Sequence, residues 1–242
     1  MNKTLIFLFI FGLSVPVCSA GLDEVLSARV QQAQQGGAAQ AQEEFINLIS
    51  SNKAFSWQEL ESLVSRGADV NAPSFEGGRT ALMVAVENVG AKFILLDGGS
   101  AALQSQREQQ ANQRRAAFAR IAYLIKAGAN VNPRVNDGKN SPYLLLAVTG
   151  DSNAFSMLLE GLALQKGNVD LADDNGLRPI DLAAKQQKSA AYKLLLKAGA
   201  DAQKASPALG GQSPQAYLEE QARLASGGDE ASYRRFLEPF GY

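Results

Sequence analysis

Apolar residues recur along the chain at helical spacing, in short runs that stop on glycine. Leu60, Leu63 and Val64 precede Gly67; Ile121, Leu124 and Ile125 precede Gly128; Leu194 and Leu195 precede Gly199. Residues at i, i+3 and i+4 share one face, so each run predicts a helix with one buried stripe. Glycine directly after the stripe ends the helix, because it enters the left-handed conformation without a Cβ clash. Leu158 and Leu159 precede a fourth stop, Lys166-Gly167, shifted in register.

Each stop leads into a polar excursion: ADVNAPSFEGGR, ANVNPRVNDGKN and NVDLADDNGLR. Glycine-containing turn signals such as NDG and DNG predict short hairpin fingers there. A new helix opens after each excursion: TALMVAV from Thr80, SPYLLLAV from Ser141, RPIDLAA from Arg178. Thr80 and Ser141 suit an N-cap, and proline suits the first helical position; Arg178 does not suit a cap. Leu82 and Ile180 in these helices join the expected core. The order is helix, turn, helix, glycine stop, finger, and then again. One helix pair cannot bury its apolar face alone, so such units stack and share a core.

Other stretches depart from this rhythm. Residues 21–42 form an Ala/Gln-rich lead-in, expected as a weak or mobile helix broken at Gly36-Gly37. Phe45 to Gly67 reads as a degenerate opening unit whose second helix starts with a capping box, Ser56 and Glu59. The unit opened by Thr80 reaches its stop only at Gly128, which marks an insertion at about 90–115. It contains the apolar KFILL (Lys92 to Leu96) and then a polar stretch in which only Leu103 and Ala111 could form a stripe. As a helix, that stretch projects into solvent or meets a partner. A smaller insertion falls near Glu160 to Lys166. Residues 213–242 predict two capping helices split at Gly227-Gly228.

The first residues have a separate meaning. Lys3, the apolar LIFLFIFGLSVPV and the small residues of CSA (Cys18 to Ala20) predict a signal peptide over residues 1–20. The apolar run is shorter than the roughly 20 residues a spanning helix needs. The expected location is periplasmic or secreted, with no membrane association after cleavage.

Composition narrows the chemistry. Lys plus Arg number 23 and Asp plus Glu 24, which gives no electrostatic footprint for nucleic acid. The chain has no His, and Cys18 is its single Cys. Triads and zinc sites that need either residue are excluded. The remaining carboxylates and lysines fall into no catalytic pattern, and no phosphate loop occurs. A non-enzyme without cofactor or metal is expected.

Together these phrases resemble the ankyrin-repeat family, whose units read Thr-Pro-Leu-His-x-Ala-Ala, then a second helix, then Gly-Ala-Asp-Val-Asn. RPIDLAAKQQKSAAYKLLLKAGADAQ (Arg178 to Gln203) follows that spacing, and SRGADVNAP and KAGANVNPR match the unit's end. The resemblance covers about Phe45 to Gln203 within a domain of residues 43–242. It implies an all-α ankyrin-repeat solenoid of four to five repeats including caps. The family's His is replaced by Met83, Leu144 and Asp181, and its turn Gly by Gln187. That His steadies the loop, so other groups must do so here.

The resemblance also implies function. Ankyrin proteins are mostly adaptors and inhibitors, and some small bacterial periplasmic ones resemble self-protection proteins that block a cell-wall hydrolase. The expectation is a monomer that binds and inhibits a partner enzyme, with a peptidoglycan hydrolase preferred. The alternatives are a periplasmic scaffold for a stress-defence enzyme and an exported effector adaptor. Contact candidates at the finger tips are Phe75 and Glu76, then Arg134, Val135, Asn136 and Asp137, then Asp173, Asp174 and Asn175. Arg107, Arg114 and Arg115 are the candidates on the insertion. The third tip with Asp170 is acidic enough to suggest Ca²⁺, but it lacks the EF-hand spacing and distal Glu, so it reads as a solvated turn.

Overall fold

The computed structural model describes residues 22–51, 55–91 and 101–242. The expected leader with its cleavage site, and KFILL, lie outside those residues. The protein is all-α. Its helices are α1 (Leu22–Ser50), α2 (Trp57–Ser65), α3 (Ala81–Ala91), α4 (Ala101–Lys126), α5 (Tyr143–Ala147), α6 (Ser152–Leu164), α7 (Pro179–Lys185), α8 (Ser189–Lys197), α9 (Pro214–Ser226) and α10 (Glu230–Leu237). The only sheet among the described residues joins β1 (Arg134–Val135) to β2 (Ser141–Pro142), antiparallel. Consecutive helices pair, α1 with α2 through α9 with α10. First helices then contact first helices (α1 with α3, α5 with α7, α7 with α9), and second contact second (α4 with α6, α6 with α8).

The glycine stops work as predicted from sequence. At the end of α2, Ala68 N–H donates to the Leu63 carbonyl and Gly67 N–H to the Val64 carbonyl, both at 3.0 Å. The same two bonds end α4 (Ala129 to Leu124, Gly128 to Ile125) and α8 (Ala200 to Leu195, Gly199 to Leu196). This double bond satisfies carbonyls the helix leaves open and needs a left-handed residue. Gly67, Gly128 and Gly199 supply it at φ 100, 90 and 91. After α6 the left-handed residue is Lys166 (φ 52), and after α7 it is Gln187 (φ 55). The left-handed conformation costs an ordinary residue about 1–2 kcal/mol. Gln187→Gly is therefore expected to stabilise the protein by about 0.5–1 kcal/mol after the entropy cost of glycine. Gly199→Ala, whose Cβ would meet nothing within 4 Å, should destabilise it by about 1 kcal/mol through backbone strain. Urea denaturation checks both signs.

The helix starts divide. Ser56 accepts from Glu59 N–H at 3.3 Å, and Glu59 Oε2 accepts from Ser56 N–H at 2.6 Å, completing the expected box. The backbone and side-chain bonds from Ser56 hold the Glu59 carboxyl below its ordinary range. Thr80 Oγ1 accepts from Met83 N–H at 3.5 Å. Ser141 does not cap α5. The ring of Pro142 disfavours helical backbone at the preceding residue, so Ser141 lies in β2 and Asn132 Oδ1 takes the Leu144 N–H instead, at 2.8 Å. Arg178 occupies the cap position of α7, where Asp181 accepts its backbone N–H at 2.9 Å.

The lead-in is also corrected. α1 runs unbroken through Gly36 and Gly37. Its second half buries Ala41, Phe45 and Ile49 at four-residue intervals, and that packing holds a helix which propensity alone does not. Ala38 fits against Gly67, where an added Cβ would lie 2.9 Å from the Ala38 Cβ.

The core is one connected cluster. Leu60, Leu63, Leu82, Ile121, Leu124, Leu158, Leu159, Ile180 and Leu195 are buried, with Val64, Ile125 and Leu194 half-buried against them. α9 and α10, split by Gly227 and Gly228, close the far end through Leu218, Ala222 and Leu237, with Phe240 in the turn just after α10. Phe240 meets Tyr192 edge-on at 5.6 Å, and the Tyr192 and Tyr242 hydroxyls bond at 2.8 Å.

Candidate protein-interaction surface

The fingers begin in one register. Asp69, Asn130, Asn168 and Asp201 each accept, through Oδ1, the N–H two residues on: Asn71 (2.8 Å), Asn132 (3.0 Å), Asp170 (2.9 Å) and Gln203 (2.9 Å). An Asx turn explains why Asp or Asn follows each stop. Side chains then tie each finger base to its neighbour. Gln42 Oε1 accepts Asp69 N–H at 2.7 Å, and Asn71 Oδ1 accepts Asn130 N–H at 2.7 Å. Gln165 donates to the Ala129 carbonyl at 2.7 Å, and Asp170 accepts Asp201 N–H at 3.0 Å. The bases form a fixed row.

At the start of α7 lies a buried charged node. Arg178 is 3% exposed and Asp181 0%. The Arg178 guanidinium grips Asp181 with two bonds, at 2.7 and 3.0 Å. It also donates to the Asp201 carbonyl at 3.0 Å and the Lys204 carbonyl at 2.8 Å. Ser206 Oγ donates to Asp181 at 2.7 Å. The node fixes the loop after α8. Met83 and Leu144 are buried apolar residues, and the Tyr143 hydroxyl donates to the Met83 carbonyl at 3.2 Å. Burial pushes the Tyr143 phenol well above its usual range.

The tip candidates separate into two groups. Phe75 does not stand out from its tip: it packs half-buried on the core because the Phe75–Arg79 bridge folds the finger back. Val135 packs there likewise. Arg134 donates to the Asn140 carbonyl at 2.7 Å and the Ala172 carbonyl at 2.6 Å, joining two fingers. Asp137 accepts Lys139 N–H at 3.0 Å and Ser141 N–H at 3.2 Å. Bonding from Ser141 holds its carboxyl low. Asp173 is buried and accepts Asn175 N–H at 2.9 Å and Leu177 N–H at 2.8 Å, so it is no solvated turn residue. These five side chains shape the fingers. Glu76, Asn136, Asp174 and Asn175 are exposed. Among the described residues no three acids converge as a metal site.

On the insertion, Arg114 pairs with Asp151 at 3.0 Å and lies over the Phe118 ring at 5.5 Å. Asp151 caps α6, so Arg114 marks where α4 meets that helix. Residues 101–113 overhang it by about 20 Å at 1.5 Å per residue. Arg115 donates to Asn112 at 3.3 Å and is exposed. The Arg107 side chain lies outside the described residues.

Sequence reasoning passed over two apolar features. Leu146 on α5 is 41% exposed, whereas Val84 of α3 and Leu182 of α7 are half-buried against the core. The run YLLLA carries one more leucine than a single buried face uses, which was its signal. Trp57, Phe55 and Tyr123 form an aromatic group, with ring centroids 6.2 Å apart for Trp57–Tyr123 and 6.1 Å for Phe55–Tyr123. Tyr123 lies more than sixty residues from Phe55 and Trp57, so no local pattern announces the group. In comparisons with known proteins, no family model matches this chain and no curated protein matches it, so function is argued from this surface.

Proposed function

We propose that the protein is an ankyrin-repeat solenoid that binds a partner protein without catalysis and blocks it. The proposed setting is the periplasm, reached through the leader in residues 1–20, and the proposed partner class is a peptidoglycan hydrolase. The observation that carries the binding role is the row of finger bases in one register, each tied to the next. A rigid row lets exposed tips vary without loss of the fold. Glu76, Asn136, Asp174 and Asn175 then offer polar contacts at fixed spacing, and Leu146 offers an exposed apolar one. The overhang of α4 gives a projecting element able to enter a groove on the partner. The hydrolase assignment rests on family resemblance.

Capture from a periplasmic extract with residues 21–242 as bait tests this reading, with mass spectrometry to identify what is retained. A hydrolase is the expected catch. A stress-defence enzyme whose level or activity rises with the chain present would replace inhibition by a scaffold role. A triple variant, Glu76→Ala, Asn136→Ala and Asp174→Ala, should weaken capture of the hydrolase at least tenfold. Its stability should stay within about 0.5 kcal/mol per site, as for exposed residues generally. Unchanged capture would remove the fingers from the interface.

A further inference from the structure

α1 is longer than its neighbour in the pair can cover. It runs 29 residues, about 43 Å at 1.5 Å per residue. Its partner α2 has 9 residues, and the stop after it, Gly67, lies level with Ala38: an added Cβ there would sit 2.9 Å from the Ala38 Cβ. Residues 22–37 continue about 24 Å past that level. They do so on the finger side, since Gln42 already bonds Asp69 at the first finger base. At the exit Gly36 and Gly37 are exposed, and a Cβ added to either would meet nothing within 4 Å. The overhang is an arm joined to the stack by a glycine pair that nothing packs against.

The sequence of the arm is amphipathic. Leu22, Leu26, Val30 and Ala33 recur at helical spacing, with Asp23, Glu24 and Arg29 between them. A helix this short is marginal in water unless another surface covers its apolar face.

The chain carries a surface of matching size. Between the C-terminal halves of α4 and α6 lies an apolar groove of about 390 Å³, walled by Ala122, Ile125, Met157, Gly161 and Leu164. Gly161 is buried and puts no side chain into it, because an added Cβ would lie 2.9 Å from Val131 Cγ1. Leu164 stands at the edge, 81% exposed. Met157 to Leu164 spans about 10 Å of helix, and Leu22 to Val30 about 12 Å. Charge fits the same segment. The groove is lined by one lysine and one glutamate: Lys126 ends α4, and Glu160 lies one turn before the end of α6 on the other wall. The arm presents the opposite signs in the same order, Asp23 and Glu24 and then Arg29. With its N-terminus at the Lys126 end, its acids fall by the lysine and Arg29 falls by the glutamate.

We propose that the arm of one molecule docks in the α4–α6 groove of a second copy, in the helix-in-groove mode. Within one molecule α1 belongs to the first-helix layer and the groove to the second, so the contact is made between copies. Reciprocal exchange of arms closes a dimer, in place of the monomer expected from the sequence. The site uses none of the finger-tip residues and leaves them open to a partner.

Light scattering on residues 21–242 over a range of concentrations is expected to show monomer and dimer in equilibrium. Leu164→Glu, at a side chain the fold does not bury, and Leu26→Glu, on the arm, should each weaken dimerisation at least tenfold, with unchanged circular dichroism. The decisive step mixes the two variants. The first keeps an intact arm and the second an intact groove, so fluorescein-labelled Leu164→Glu chain should gain anisotropy saturably as Leu26→Glu chain is added. Labelled Leu164→Glu chain titrated with its own unlabelled form should not. A parent chain that is monomeric at every concentration would overturn the proposal. So would a Leu164→Glu variant that dimerises like the parent, or two folded variants that fail to bind each other.

Discussion

Replacing Arg178 with methionine is expected to cost about 3–5 kcal/mol, the range for removing one partner of a buried ion pair. The magnitude follows from what stays behind. Asp181 is 0% exposed and would keep only Ser206 Oγ and the Arg178 backbone N–H. The Asp201 and Lys204 carbonyls would lose their donor as well. For a chain of this size the loss lowers Tm by on the order of 10 °C. The double variant Arg178→Met, Asp181→Leu should recover much of it, because an apolar pair of similar volume carries no stranded charge. A double variant as unstable as the single one would mean that the carbonyl contacts, not the ion pair, hold the loop. Ser206→Ala alone should cost about 1 kcal/mol, the size of one buried hydrogen bond.

Phe45→Ala is the second large effect, expected at about 3–5 kcal/mol for a fully buried aromatic. Phe45 is 1% exposed and lies between Ala41 and Ile49 on the packed half of α1. Helix pairs that contact mainly their neighbours share stability along the stack, so damage at one end spreads incompletely. Hydrogen exchange should therefore show α1 and α2 opening first, while the amides of α7 and α8 keep their protection. Uniform loss of protection along the whole chain would show that the stack unfolds as one unit.

Much of this fold was legible in the sequence because its determinants are local. The glycine stops and the Ser56–Glu59 box depend on residues within about one turn of each other. The Asp or Asn after each stop was visible as a repeated letter, and its Asx bond is likewise local. The misses depend on distant partners. Gly36-Gly37 suggests a break until the packing of Phe45 and Ile49 is known. Ser141 looks like a cap until Asn132 is seen to take its place. Arg134 and Asp173 look like solvent-facing tip residues, but their bonds reach another finger or fold the turn inward. Of the charged node, Arg178 and Asp181 lie three residues apart and could have been paired, whereas Ser206 and the carbonyls it accompanies come from the following loop. The α4 overhang was readable, since no apolar stripe covers it. The 81% exposure of Leu164 was not, because it depends on the extra turn by which the 13-residue α6 exceeds the 9-residue α8.

The most direct measurement of the proposed function is a titration of residues 21–242 into a captured periplasmic hydrolase, following release of soluble fragments from peptidoglycan. Activity that falls to a stoichiometric end point, and falls less with the finger-tip triple variant, is the expected result. Activity that stays level or rises as the chain is added would contradict inhibition.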